Sequence, residues 1–327
     1  MVENEAIALS SISKQNQINS STFQRNYKEH LSEFREWEEG LVADELIYPA
    51  NFGPRMSIDE TSLQNGELYT IITNKDKKGK KGALAALIKG TKASVVSKAL
   101  SSVPIQTRMQ VKEITLDLAN SMDWICRASF QNAVLTADRF HFQKAVTEGV
   151  QEIRIKLRRE AIDEDNAKSE EARKNKQEYK APIYSNGDTK KQLLARSRYL
   201  LFKPRSKWTP SQKERAKILF ENFSELEKAY GFSMCFRNIF EKAKTRKEGK
   251  KRLNDWYEKI RNSSINELIS VANTIKNHEG KILNYFYNRA TNASAESFNA
   301  KLKGFRALLR GVRDINFFLF RVEKLFA

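Results

Sequence analysis

Apolar residues recur at helical spacing from position 22 onward, where Phe23, Tyr27, Leu31, Phe34 and Trp37 predict an amphipathic helix ahead of a loop closed by Pro54. The 21 residues before it are polar and are expected to fray. The pattern then shifts toward strands. Residues 56–60, 68–73 and 82–88 are short β-rich runs separated by the Asn65-Gly66 pair and a Lys/Gly-rich turn at 74–81, which predicts three antiparallel strands. Residues 91–100 return to helical spacing and stop before Pro104. Residues 111–117 alternate as a fourth strand, 122–130 are helical, and 133–137 form a fifth strand. The order β-β-β-α-β-α-β predicts an α/β fold with a mixed sheet whose later strands belong to βα units.

Strand signals vanish after Phe142. Residues 143–180 are densely charged but balanced in sign, as in a long solvated helix. Residues 193–202, 209–230, 252–260 and 265–277 read as helices separated by Pro204, Pro210, Gly231 and Gly249, and helical sequence ends the chain. A helical block thus interrupts the α/β part. Trp124, Trp208 and Trp256 fall on apolar helical faces and are expected in the core. A Lys/Arg-rich stretch at 242–252 reads as a solvated loop or as a contact for a polyanion.

Charge narrows the function. The 327 residues carry 58 Lys+Arg against 40 Asp+Glu, a formal net charge of +18 that predicts a polyanionic partner, nucleic acid before membrane surface. Cys126 and Cys235 are too few for a zinc cluster or a disulfide scaffold. The longest apolar runs, 83–88 and 317–320, are too short to span a bilayer, and the first residues lack the basic-then-apolar pattern of a secretory signal. A soluble, cytoplasmic protein is expected. Only three histidines occur (His30, His141 and His278). Serine lies in no nucleophile elbow, and Gly79-Lys80-Lys81-Gly82 lacks the spacing of a phosphate-binding loop.

Carboxylates are therefore the candidate chemical groups. Asp59 and Asp117 close the first and fourth predicted strands, and if those strands are parallel neighbours, both acids project from one sheet edge. Two such acids repel unless a divalent cation lies between them, whereas a single strand-end Asp is commonly a turn residue. Glu296 offers a third. From Asn292 onward Phe298, Leu302, Phe305 and Leu309 mark a buried helix stripe, while Glu296, Asn299, Lys303, Arg306 and Arg310 fall within one quadrant at about 100° per residue. Residues 297–313 contain Lys301, Lys303, Arg306, Arg310 and Arg313 and no acid. A lone acid heading a row of cations suits a metal ligand on a helix that runs along a phosphate backbone; an ordinary solvated face is the plainer reading.

Four segments carry a resemblance: Ser57-Ile58-Asp59-Glu60-Thr61-Ser62, Thr115-Leu116-Asp117-Leu118, Ala137-Asp138-Arg139-Phe140-His141-Phe142, and the Glu296-x-x-Asn299-x-Lys301-x-Lys303 block. In order and content they resemble the DDE transposases of bacterial insertion sequences, of the ISL3 group, over roughly residues 55–327. The resemblance implies an RNase H-like core with a five-stranded mixed sheet and a large all-helical insertion before the last catalytic helix. The expected organisation is an N-terminal helical segment (1–54), the first part of the core (55–142), the insertion (143–285) and completing helices (286–327). It further implies Asp59, Asp117 and Glu296 as catalytic metal ligands. Asp138 is the rival second carboxylate, with His141 beside it. Two Mg²⁺ ions, replaceable by Mn²⁺, are the implied cofactor. Asn299, Lys301, Lys303, Arg306 and Arg310 become DNA contacts. The implied reaction is cleavage at element ends followed by strand transfer into target DNA, by a homodimer or higher assembly on DNA in the bacterial cytoplasm.

Only about 55 residues precede Asp59, without the zinc motif and helix-turn-helix of full-length members. Either end recognition is on a separate chain or this copy is truncated. A catalytically silent DNA-binding derivative and a nuclease that cuts without joining are the competing readings.

Overall fold

A computed structural model describes residues 5–41, 45–64, 66–309 and 314–327. The chain divides into two units: residues 1–138 with 289–327, and residues 139–288.

The first unit is built on one sheet. Strands β1 (Glu45–Ile47), β2 (Arg55–Gln64), β3 (Glu67–Asn74), β4 (Leu84–Lys89), β5 (Glu113–Leu116) and β6 (Val134–Ala137) are arranged β1-β4-β3-β2-β5-β6. Neighbours from β1 to β2 pair antiparallel, while β2–β5 and β5–β6 pair parallel, so the fourth strand expected from sequence does lie parallel beside the first. The tight β2–β3 reversal uses Gly66 at φ +83°, a left-handed conformation that favours glycine. Helices Ala93–Leu100, Ile105–Met109 and Asn120–Ser129 make the crossovers into the parallel strands.

Period-2 alternation gives the sheet two apolar faces. Met56, Ile58, Ile114, Leu116 and Leu135 pack with Val96, Leu100, Met122 and Ile125 of the crossover helices. On the opposite face Leu63, Tyr69, Ile71 and Leu87 meet Phe298, Leu302, Phe305 and Phe318, from the helices Ala293–Leu308 and Ile315–Phe326. This is an α/β unit with a mixed six-stranded sheet, one edge strand more than the five expected.

Several local expectations change. Strand β1 is a sixth strand, three residues long and too short to leave a periodic trace. Strand β2 runs ten residues and does not stop near Asp59; two consecutive acids mask its alternation, but pairing with β3 continues past them. Residues 9–15 are helical, not frayed, because Leu9 and Ile12 are buried. The predicted N-terminal helix is broken into Ser20–Asn26, a π turn at Tyr27–Leu31 and Phe34–Glu39, and Leu31 points to solvent. Phe34 instead packs edge-on against Phe317 and Phe320.

The second unit is helical, opening with the 36-residue helix Arg139–Lys174. Its core is aromatic: Phe142 and Phe240 have ring centroids 4.7 Å apart, and Phe286 stacks on Phe240 at 5.5 Å. Gly231 and Gly249 lie inside Ser224–Lys242 and Arg246–Arg261 and do not separate helices. Gly249 is needed for close approach, since a Cβ there would stand 2.2 Å from Phe286 Cε2. The break comes at Phe223, between Pro210–Asn222 and Ser224–Lys242. The basic stretch at 242–252 is largely helix: Thr245 caps it, Arg252 pairs with Glu248 at 3.0 Å, and Lys250 pairs with Glu279.

Asp188 is fully buried, ion-paired to Arg196 and, at 3.0 Å, to Arg215. Trp256 is buried as expected, whereas Trp124 is 55% exposed on its crossover helix. Both cysteines are free. Among the described residues no helix is long and apolar enough to cross a membrane.

Candidate active site

The acidic positions are arranged by strand register. Ser57 of β2 is the last residue aligned with β5, opposite Thr115, so Asp59 and Asp117 each lie two residues beyond a matched pair. The β5–β6 register ends at Leu116 opposite Ala137, and the Asp138 N–H donates to the Leu116 carbonyl at 2.7 Å. Asp117 and Asp138 are thus the residues following a matched pair. Three aspartates, remote in sequence, occupy neighbouring positions where the parallel pairing ends.

Helix Ala293–Leu308 brings the fourth acid. Asp138 is 2% exposed and accepts the Asn292 backbone N–H at 3.0 Å, and Asn292 precedes the first turn of this helix. The bond ties the end of β6 to the start of the Glu296 helix across 154 residues. Ligand oxygens of Asp138 and Glu296 lie within 4.8 Å of one another. One turn on, Asn299 Nδ2 donates to Asp59 Oδ2 at 2.8 Å, while Asp59 Oδ1 accepts the Glu60 N–H at 2.8 Å. Asp59 and Glu296 are consequently served by one helix face.

Asp117 behaves differently. Its Oδ1 accepts the Ala119 N–H at 2.8 Å, a local turn bond, and among the described residues Asp59, Asp117 and Glu296 do not form a set with all ligand atoms within 4.8 Å. Its charge nevertheless reaches the site: burial first, then the charges of Asp117 and Asp59, push the Glu60 carboxyl above its ordinary range. His141 lies three residues after Asp138, in the first turn of Arg139–Lys174.

A hydrated cation fits these residues on two grounds. The carboxylates supply hard oxygen donors. Buried polar atoms around them also lack a hydrogen-bond partner: Asn299 Oδ1, Thr61 Oγ1, and both amide atoms of Asn292. Buried polar groups without partners are uncommon, and ordered water or an ion is one way such atoms are satisfied.

The expected cationic stripe is only partly a DNA-facing surface. Asn299 is 7% exposed and turned onto Asp59, and Lys301 Nζ donates to the Gly79 carbonyl at 2.7 Å. Burial of Phe298 and Leu302 rotates the helix so that Asn299 faces the sheet. Lys303 is exposed, and Arg306 is half-buried near the Ser62 carbonyl. Arg310 and Arg313 lie outside the described residues. Sequence reasoning missed Lys75, whose ammonium bridges Glu113 Oε1 (2.6 Å) and Thr115 Oγ1 (2.8 Å); in a lysine-rich turn nothing marks it out. It also missed Asn292, which only the folded β6–helix contact singles out.

The profile of the ISL3 group of DDE transposases, described as Transposase, matches residues 56–322. The Drosophila P element transposase strand transfer complex superposes with a TM-score of 0.43 and 11% identity, covering 97% of this chain and 90% of that chain. No significant match is found among curated proteins. The profile match spans β2 through the C-terminal helix and takes in all four acidic positions, so the chain belongs to the ISL3 group of DDE transposases and is a DNA transposase.

Proposed function

We propose that this chain cleaves DNA at the ends of an insertion sequence and joins the freed 3′-ends to target DNA, with Asp59, Asp117 and Glu296 as the ligands of two Mg²⁺ ions, replaceable by Mn²⁺. The observation that carries the reading is the Asn299–Asp59 bond on the same helix as Glu296, which sets two of the three acids on one side of the sheet. Bound there, a divalent cation would polarise the scissile phosphate and acidify the attacking water or 3′-hydroxyl.

The chain's own residues do the rest. Asp59 is held at both oxygens, so its orientation is set before DNA arrives. Asp117 is fixed by its own turn. Asp138, clasping Asn292, acts as a positioning residue for the Glu296 helix, and His141 stands beside it in sequence. Lys303 and Arg306, with Arg310 further along the chain, contact phosphates and orient the duplex without reading bases. Catalysis takes place in a homodimer or larger assembly on DNA.

The test is incubation of the purified chain with labelled duplex bearing the element's ends and with target DNA, in Mg²⁺, Mn²⁺ or EDTA. Strand-transfer products that require the metal are expected. Binding without cleavage would refute the proposal in favour of a silent derivative, and cleavage without joining in favour of a nuclease.

A further inference from the structure

We infer that Asn299 is a positioning residue for the metal site: its amide N–H locks Asp59 as a ligand, and its carbonyl oxygen accepts a hydrogen bond from a water carried in with the cation. The inference rests on the metal-site reading above and extends it to a side chain whose sequence position suggested DNA contact.

Three observations converge on it. Asn299 Nδ2 donates to Asp59 Oδ2 at 2.8 Å. The side chain is 7% exposed, so it is withdrawn from any DNA backbone lying along the helix. Its Oδ1 is buried without a hydrogen-bond partner. A buried amide that uses its donor and leaves its acceptor idle loses roughly 1–3 kcal/mol of hydrogen bonding relative to water. A leucine would fill similar space without that cost, so shape alone does not explain an asparagine here. A water on a cation held by Asp59 would supply the missing donor. The Glu60 N–H on Asp59 Oδ1 completes the orientation. Outer-shell partners of this kind fix ligand geometry, and their removal typically costs about 10–100-fold in metal affinity.

Mn²⁺ alone is the probe, titrated into the chain and followed by electron paramagnetic resonance of the free ion, for wild type, Asp59→Asn, Asn299→Leu and Asn299→Ser. Unfolding midpoints in EDTA report whether each variant keeps the fold. Both Asn299 variants are expected to bind Mn²⁺ about 10–100-fold more weakly while remaining folded. Affinity within twofold of wild type in a folded Asn299 variant, with Asp59→Asn impaired, would overturn the inference and leave the metal site standing. Unfolding of both variants would overturn it too, by making Asn299 structural. Wild type and Asp59→Asn binding alike, or neither binding, would instead remove the metal-site reading on which the inference rests.

Discussion

Asp117 and Asp138 compete for the place of second catalytic carboxylate, and their different bonding separates them experimentally. Asp138 is buried and accepts the N–H of Asn292, itself fully buried. In Asp138→Ala that N–H loses its acceptor, at a cost of about 1–3 kcal/mol of stability, and the start of the Glu296 helix is loosened. In Asp138→Asn a carbonyl oxygen can still accept. The loss is then only the difference between a charged and a neutral hydrogen bond, about 1 kcal/mol.

Asp117 accepts a single local N–H in a half-buried turn, which asparagine also satisfies, so Asp117→Asn should leave stability within about 1 kcal/mol of wild type. If Asp117 is a metal ligand, the same change should slow cleavage by more than ~100-fold, the upper range for losing a mere outer-shell partner, or about 2.7 kcal/mol of barrier. Asp138→Asn should slow it by no more than ~10-fold. Urea unfolding and single-turnover cleavage of labelled end DNA, run on the same preparations, measure both quantities. Activity retained in Asp117→Asn and abolished in a stably folded Asp138→Asn would refute the assignment and make Asp138 the ligand.

Other outcomes follow from the packing and charges. In the helical unit, Asp188→Ala should destabilise by about 1.5–3 kcal/mol in urea unfolding, because it removes the buried charged acceptor of Arg196 and Arg215. Burial pushes the Asp188 carboxyl up, but its bonds to Arg215 and Arg196 outweigh this and hold it below the ordinary carboxylate range. Its contribution is therefore complete above about pH 4 and is lost as pH falls further, a dependence that melts of Asp188→Asn should lack. Gly249→Ala would gain about 1 kcal/mol of helix propensity, yet it drives a Cβ into Phe286, which Phe240 backs on the other side. A net loss of about 1–2 kcal/mol is expected in urea unfolding, and a stabilised variant would contradict the packing. Lys303→Ala should weaken DNA binding equally across sequences and reduce the slope of log K against log salt by about 0.9; an unchanged slope would remove Lys303 from the phosphate contacts.

Much of the strand order could be read from the chain because alternation and turn pairs are local. The reversal at Gly66 and the three antiparallel runs follow from patterns of a few residues, whereas the parallel placement of the 113–116 strand beside the first entered only as a condition, since it pairs segments far apart in sequence. The helical character of residues 139–288 is likewise local. Strand β1 was invisible because three residues cannot display a period. The early termination predicted for β2 arose because Asp59 and Glu60 interrupt the apolar alternation although the backbone continues to pair.

By itself the sequence determined which residue types were available: a basic chain, few histidines, and acids beside strand-like runs and at the head of a cationic helix. Tertiary structure alone decided which of them meet. The Asn299–Asp59 and Asp138–Asn292 bonds span 240 and 154 residues, and no local pattern encodes such contacts. Helix rotation settled the rest: burying Phe298 and Leu302 against the sheet obliges Asn299 to face Asp59 and leaves Lys303 in solvent. A helical wheel gives the angles between side chains. The apolar face the sheet buries sets which of those directions points inward.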